Sequence, residues 1–106
     1  MEYAVVLVTA PDADTAARIA RALVEERLAA CGNVIDGLRS IYRWQGAIED
    51  SKEALLILKT RVDAFERMQA RVVELHPYEC PEVLRLDVAA GLPAYLEWLA
   101  SGIGAE

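Results

Sequence analysis

The sequence predicts an α+β fold: a ferredoxin-like βαββαβ sandwich with a long hairpin joining its second and third strands and a C-terminal helix, assembling as a trimer. Three observations predict it. Tyr3–Thr9 and Ala54–Leu58 are continuous short apolar runs, the pattern of strands covered on both faces. Two segments repeat apolar residues at helical spacing, one after each of those runs. Between the first helical segment and the second apolar run, Ser40–Thr60 reads as one hairpin turning at Gln45-Gly46. Right-handed crossovers then place the first and third strands at the centre of an antiparallel sheet, with both main helices on one face.

Each element follows from local chemistry. Tyr3–Thr9 ends where Pro11-Asp-Ala-Asp breaks the strand and offers Asp12 or Asp14 as a helix N-cap. Ala16, Ile19, Ala20, Leu23 and Val24 then carry the first helix to about Leu28, with Arg18, Arg21, Glu25 and Glu26 opposite. Gly32-Asn33 marks the break before a strand at Leu38–Trp44, where Tyr42 and Trp44 share a face. Asp36-Gly37 is either a bulge within this arm or a turn before it. After the turn, Ala54–Leu58 forms the third strand and finishes at Lys59-Thr60. Asp63 and Glu66 match a capping box, and Phe65, Met68, Val72 and Leu75 supply the second helix with its stripe. Leu84, Leu86 and Val88 alternate with Arg85 and Asp87, as in a strand with one solvated side. Pro93 opens and Gly102 closes a terminal helix.

A chain of 106 residues that is 55% hydrophobic is expected to form a single domain over residues 1–106, stable without a disulfide framework or a structural metal. The net charge is −6, with 11 Lys+Arg against 17 Asp+Glu and no basic cluster, so neither nucleic acid nor a membrane surface is an expected partner. No apolar run approaches the roughly 18 residues of a membrane span, and no signal-peptide pattern opens the chain. Two cysteines do not make a secreted disulfide framework. A cytoplasmic location is expected. A ribbon as long as Ser40–Thr60 has more edge than so small a body covers, which points to pairing with further copies of the chain.

The motifs Thr9-Ala-Pro-Asp12, Leu28-Ala-Ala-Cys-Gly-Asn33, Ser40-Ile-Tyr-Arg-Trp-Gln-Gly46, Glu53 to Lys59-Thr60, His76-Pro-Tyr-Glu-Cys-Pro-Glu82 and Gly91 to Trp98 together resemble the CutA family of divalent-cation tolerance proteins. The resemblance implies compact homotrimers of ferredoxin-like subunits in the cytoplasm, associated with copper and other divalent metals. Gly32 stands where the family usually has an apolar residue, and Cys80 where it often has valine or threonine. Val8 and Leu75 occupy positions that are cysteine and histidine in some members, so a copper site built from that full set cannot form here.

His76 is the only histidine. It either ligates a soft or borderline metal, with Cys80 four positions on and Glu79 and Glu82 nearby, or it caps the second helix. The expected metal is copper or another divalent ion, weakly bound and not required for folding. Cys31 reads as a small buried hydrophobe. Tyr42, Trp44 and Tyr78 form either an aromatic wall over a pocket, with Glu53 and Lys59 as polar contacts, or a packing surface between subunits. Lys59 either binds an anion or pairs with Glu82. The loop Thr9–Asp14 lacks the arginine and glycines of an acylphosphatase and the Cys-x-x-Cys of a copper chaperone, and no catalytic constellation is visible, so catalysis is not expected. The principal role expected is metal tolerance. The alternative is a trimeric small-ligand sensor or signalling scaffold resembling the PII proteins.

Overall fold

Asp12 decides where the first strand becomes a helix. Its backbone is extended, and its carboxylate accepts the Thr15 N–H at 2.7 Å, satisfying one of the unpaired donors of the first turn. The computed structural model describes residues 1–104. Before Asp12 lies β1 (Tyr3–Ala10), and after it α1 (Ala13–Glu25). Helix α1 sets Ala16, Ile19, Ala20 and Leu23 against the sheet but stops short of the expected Leu28. Arg27 enters the left-handed region at φ 60°, and the Leu28 and Ala29 amides both turn back to the Leu23 carbonyl. Val24, expected on the buried stripe, is exposed.

Strand β2 (Cys31–Trp44) pairs antiparallel with β3 (Ala47–Arg61). The two-residue turn between them has positive φ at both centres, Gln45 at 49° and Gly46 at 82°, which matches the twist of the flanking strands. The second strand begins seven residues before the expected Leu38, because Cys31–Ile35 already pairs with Lys59–Leu55. Asp36-Gly37 is therefore a bulge inside the arm: the register shifts between Ile35 and Leu38, and Gly37 takes φ 79°.

A 3₁₀ turn, Val62–Ala64, leads into α2 (Phe65–Leu75). The expected capping box does not form; Asp63 instead accepts from the Arg61 guanidinium two residues back. The helical stripe holds, with Met68 and Val72 fully buried and Phe65 and Leu75 packed against them. β4 (Leu84–Asp87) and α3 (Pro93–Ser101) complete the described elements.

The sheet order is β2-β3-β1-β4, all neighbours antiparallel, so the two doubly apolar strands are the central pair. Ala4, Val6, Val8 and Ala10 of β1 and Ala54, Leu56 and Leu58 of β3 form one fully buried face under α1 and α2. The opposite face is only partly covered, with α3 placing Tyr95 beneath Lys59 and burying Leu99. Strand β4 reverses the expected sidedness. Pairing of Val5 with Leu86 and Leu7 with Leu84 turns both leucines to that second face, where they are 53% and 55% exposed. Arg85 points the other way, over the Phe65 ring at 5.5 Å.

α1 and β2 approach closely at Gly32. A Cβ at Gly32 would lie 2.8 Å from Ala20 Cβ and 3.4 Å from Leu58 Cδ2. Gly32→Ala is expected to lower stability by about 1–3 kcal/mol through overpacking. Urea denaturation measures it, and an unchanged midpoint would mean that α1 yields without strain.

Candidate functional site

Strand β3 has 15 residues and β1 has 8. Their pairing ends at Ala10 with Ala54, so Glu53 is the first β3 residue beyond the end of β1. Alternate β1 carbonyls point toward β4; that of Tyr3 accepts the Val88 amide. β4 reaches only as far as Leu7, and the Thr9 carbonyl falls past its end. His76, capping α2, takes that place with Nε2 at 2.7 Å from Thr9 O. Its Nδ1 lies 3.1 Å from the Tyr78 amide nitrogen. A carbonyl can only accept and an amide N–H can only donate, so the ring is the neutral tautomer with its proton on Nε2. Both nitrogens are committed, and His76 is only 7% exposed.

The turn fixed by His76 swings Tyr78 over the strand overhang. Its ring lies 4.6 Å from the imidazole, and its hydroxyl donates to Glu53 Oε2 at 2.6 Å. Glu53 is itself only 7% exposed. Burial, and secondarily the hydrogen bond to the Glu53 carboxylate and that group's charge, push the Tyr78 hydroxyl above its ordinary pKa.

Beside this pair lies a cavity of about 680 Å³. β2 contributes Ser40, Ile41, Tyr42 and Trp44; the loop after α2 contributes Pro77, Tyr78, Glu79, Cys80 and Glu82; Thr9 and Glu53 complete the lining. Apart from Ile41, the β2 and β3 residues reach it by period two. Ser40 pairs with Ser51 and Tyr42 with Glu49, which places Ser40, Tyr42, Trp44 and Glu53 on one face of the arm.

Of the residues singled out from sequence, Tyr42, Trp44, Glu53, Tyr78, Cys80 and Glu82 come together at this cavity. His76 stands behind it as a support. Lys59 is elsewhere: its Nζ sits 5.7 Å from the Tyr95 ring centre, and among the described residues it makes neither the expected pocket contact nor an ion pair with Glu82. Position along the strand explains this: Lys59 has the same parity as Glu53 but lies farther along β3, where the strand runs beside β1 and α3 covers that face. Cys31 is half-buried, with Sγ 3.7 Å from Asn33 Oδ1, and Cys80 is exposed. Among the described residues, no three His, Cys, Asp or Glu side chains are grouped to hold a metal ion. Sequence reasoning did not single out Thr9, Ser40, Ile41 and Pro77. Alternation with Tyr42 and Trp44 was the signal available for Ser40.

Comparison with known proteins adds an independent line. The family model described as CutA1 divalent ion tolerance protein matches residues 4–102. The divalent-cation tolerance protein CutA of Thermus thermophilus is 51% identical over 100 residues, covering 94% of this chain and 97% of that one. The solved structure of a Thermus thermophilus divalent cation tolerance protein superposes with a TM-score of 0.93 at 50% identity, covering 96% and 99% of the two chains. The crystal structure of the Oryza sativa CutA1 gives 0.96 at 36% identity, covering 100% and 97%.

Replacing Tyr78 by Phe leaves a buried carboxylate without its donor, with an expected loss of about 1–3 kcal/mol at neutral pH. A folded-state pKa raised above the unfolded value of 10.0 contributes stability that is complete below pH 10 and lost as pH rises beyond it. The difference in stability between the two proteins should therefore shrink on going from pH 9 to pH 11, read as paired urea curves. A constant difference would deny the Tyr78–Glu53 coupling.

Proposed function

The chain belongs to the CutA1 divalent ion tolerance family, and from that premise we propose that it serves in the cellular response to divalent metal ions as a homotrimer. The observation that carries assembly is the uncovered second face of the sheet. Leu84 and Leu86 on β4 and Trp98 on α3 are each more than half exposed, and Val34 and Ile35 on the outer strand β2 are also exposed. Apolar surface of this kind beside open strand edges is what a second copy covers. A trimer of ferredoxin-like subunits would bury it. The family is named for tolerance, and the arrangement at the cavity lacks a nucleophile–base pair, so we read the role as non-enzymatic. We place it in the cytoplasm, where an exposed thiol such as Cys80 stays reduced. Among the described residues, no helix is long and apolar enough to cross a membrane.

The donors present do not fit a resident metal centre. Both His76 nitrogens are hydrogen-bonded, and among the described residues no three His, Cys, Asp or Glu side chains converge. The metal contact we propose is weak and exchangeable. Cys80 is its accessible soft donor, for copper or another divalent ion, and His76 joins only by giving up a bond to Thr9 or Tyr78. A second reading, a small-ligand sensor resembling the PII signalling proteins, is favoured by the cavity of about 680 Å³ beside Tyr78.

Native mass spectrometry is expected to find trimers, and Leu86→Arg is expected to shift them to monomers, because an unpaired charge would enter the apolar contact. A Leu86→Arg protein that stays trimeric at low concentration would refute this interface. In copper(II) titrations, Cys80→Ser and His76→Ala should each weaken binding by about tenfold, equivalent to about 1.4 kcal/mol. Unchanged affinity in both would remove copper from this loop.

A further inference from the structure

The cavity between the β2 aromatics and the Tyr78 loop carries a chemical signature that metal tolerance does not use. Among the described residues its charged lining is Glu53, Glu79 and Glu82, and no Lys, Arg or His borders it. Its walls include the rings of Tyr42, Trp44 and Tyr78. Tyr42 and Trp44 are 44% and 42% exposed, and among the described residues neither stacks on another ring nor faces a Lys or Arg of its own chain. Their π faces remain available. At the base, Glu53 is almost wholly buried and uses Oε2 for the Tyr78 hydroxyl; its Oε1 accepts no hydrogen bond from the described residues.

We propose that this cavity binds a small organic cation carrying an alkylated ammonium group, with the Tyr42 and Trp44 rings and the Glu53 carboxylate among the groups that line its site. The inference rests on the small-ligand reading above and names the ligand class. Electron-rich ring faces attract a cation whose hydration is weak, and a desolvated carboxylate supplies the counter-charge. Other classes fit less well. An anion would meet three carboxylates and no positive group. A bare divalent ion needs several donors at bonding distance, and the acidic groups here are not so grouped. A neutral apolar molecule would cover the open rings but would remove water from Glu53 without compensating its charge. The volume, about 680 Å³, lies within the range of small-molecule sites and exceeds what a metal ion requires.

The test is calorimetric titration of the full chain, in its native assembly and in buffer holding a metal chelator, with choline and with its neutral carbon isostere, dimethylbutanol. The expected result is that choline binds and the isostere binds about tenfold more weakly or less. Trp44→Leu, which keeps apolar bulk but removes the ring, and Glu53→Gln, which keeps shape but removes the charge, should each weaken choline by about tenfold. Equal binding of choline and its isostere would overturn the cation and leave a ligand site. Binding of neither up to about 10 mM would overturn both, assigning the rings to packing against another copy.

Discussion

The mismatch in length between β3 and β1 governs this molecule. Pairing with β1 must stop at Ala54; beyond it β3 keeps β2 as its only strand neighbour, and the buried Glu53 side chain must find its partner outside the sheet. The loop after α2 supplies them. His76 closes the open Thr9 carbonyl, Tyr78 closes over Glu53, and the space left between that loop and the projecting arm is the cavity. Two strand ends, β1 stopping short of β3 and β4 stopping short of Thr9, thus place a histidine, a tyrosine and a carboxylate that are far apart in sequence. A shorter third strand would leave Tyr78 without its carboxylate, while the Thr9 carbonyl, left open by the end of β4, would still call for His76.

The same overhang explains why the chain is elongated, 44 Å along its longest axis against 25 and 22 Å across. The distal part of the β2–β3 arm carries Ile41, Tyr42, Trp44 and Ile48 with little beneath them. Its own backbone pairing, the Gln45-Gly46 turn and the Arg39–Asp50 ion pair are what hold it straight. That ion pair is exposed and worth little alone. The arm is a surface offered outward, either to another copy or to a ligand, and its aromatic residues suit both uses.

Much of this was legible in the sequence because it is written in local patterns. Continuous apolar runs located the two central strands and alternation the last one, period-3.6 stripes the helices, Gln45-Gly46 the turn, and Pro11–Asp14 the first cap, as either Asp12 or Asp14. The central positions of β1 and β3 followed from their apolar character on both sides. What escaped was set by contacts between distant segments. The spacing of Asp63 and Glu66 suggests a capping box, but nothing in it reveals that Arg61 competes for the aspartate. The alternation at Leu84–Asp87 gives two faces without saying which one meets α2; only the register with β1 decides. His76 read as either ligand or cap, with the cap favoured, and the carbonyl that claims its Nε2 lies 67 residues earlier. Lys59 has the same parity as Leu55 and Ile57, which was visible, but the helix lying over that face was not.

The fit of Gly32 against Ala20 has an evolutionary consequence. The two positions share one volume, so which residue is tolerated at either depends on what already occupies the other. A lineage that first enlarges residue 20 becomes bound to glycine at 32, while one that first moves the helix outward can accept a side chain there. The order of substitutions, more than their identity, then decides which packing a descendant inherits.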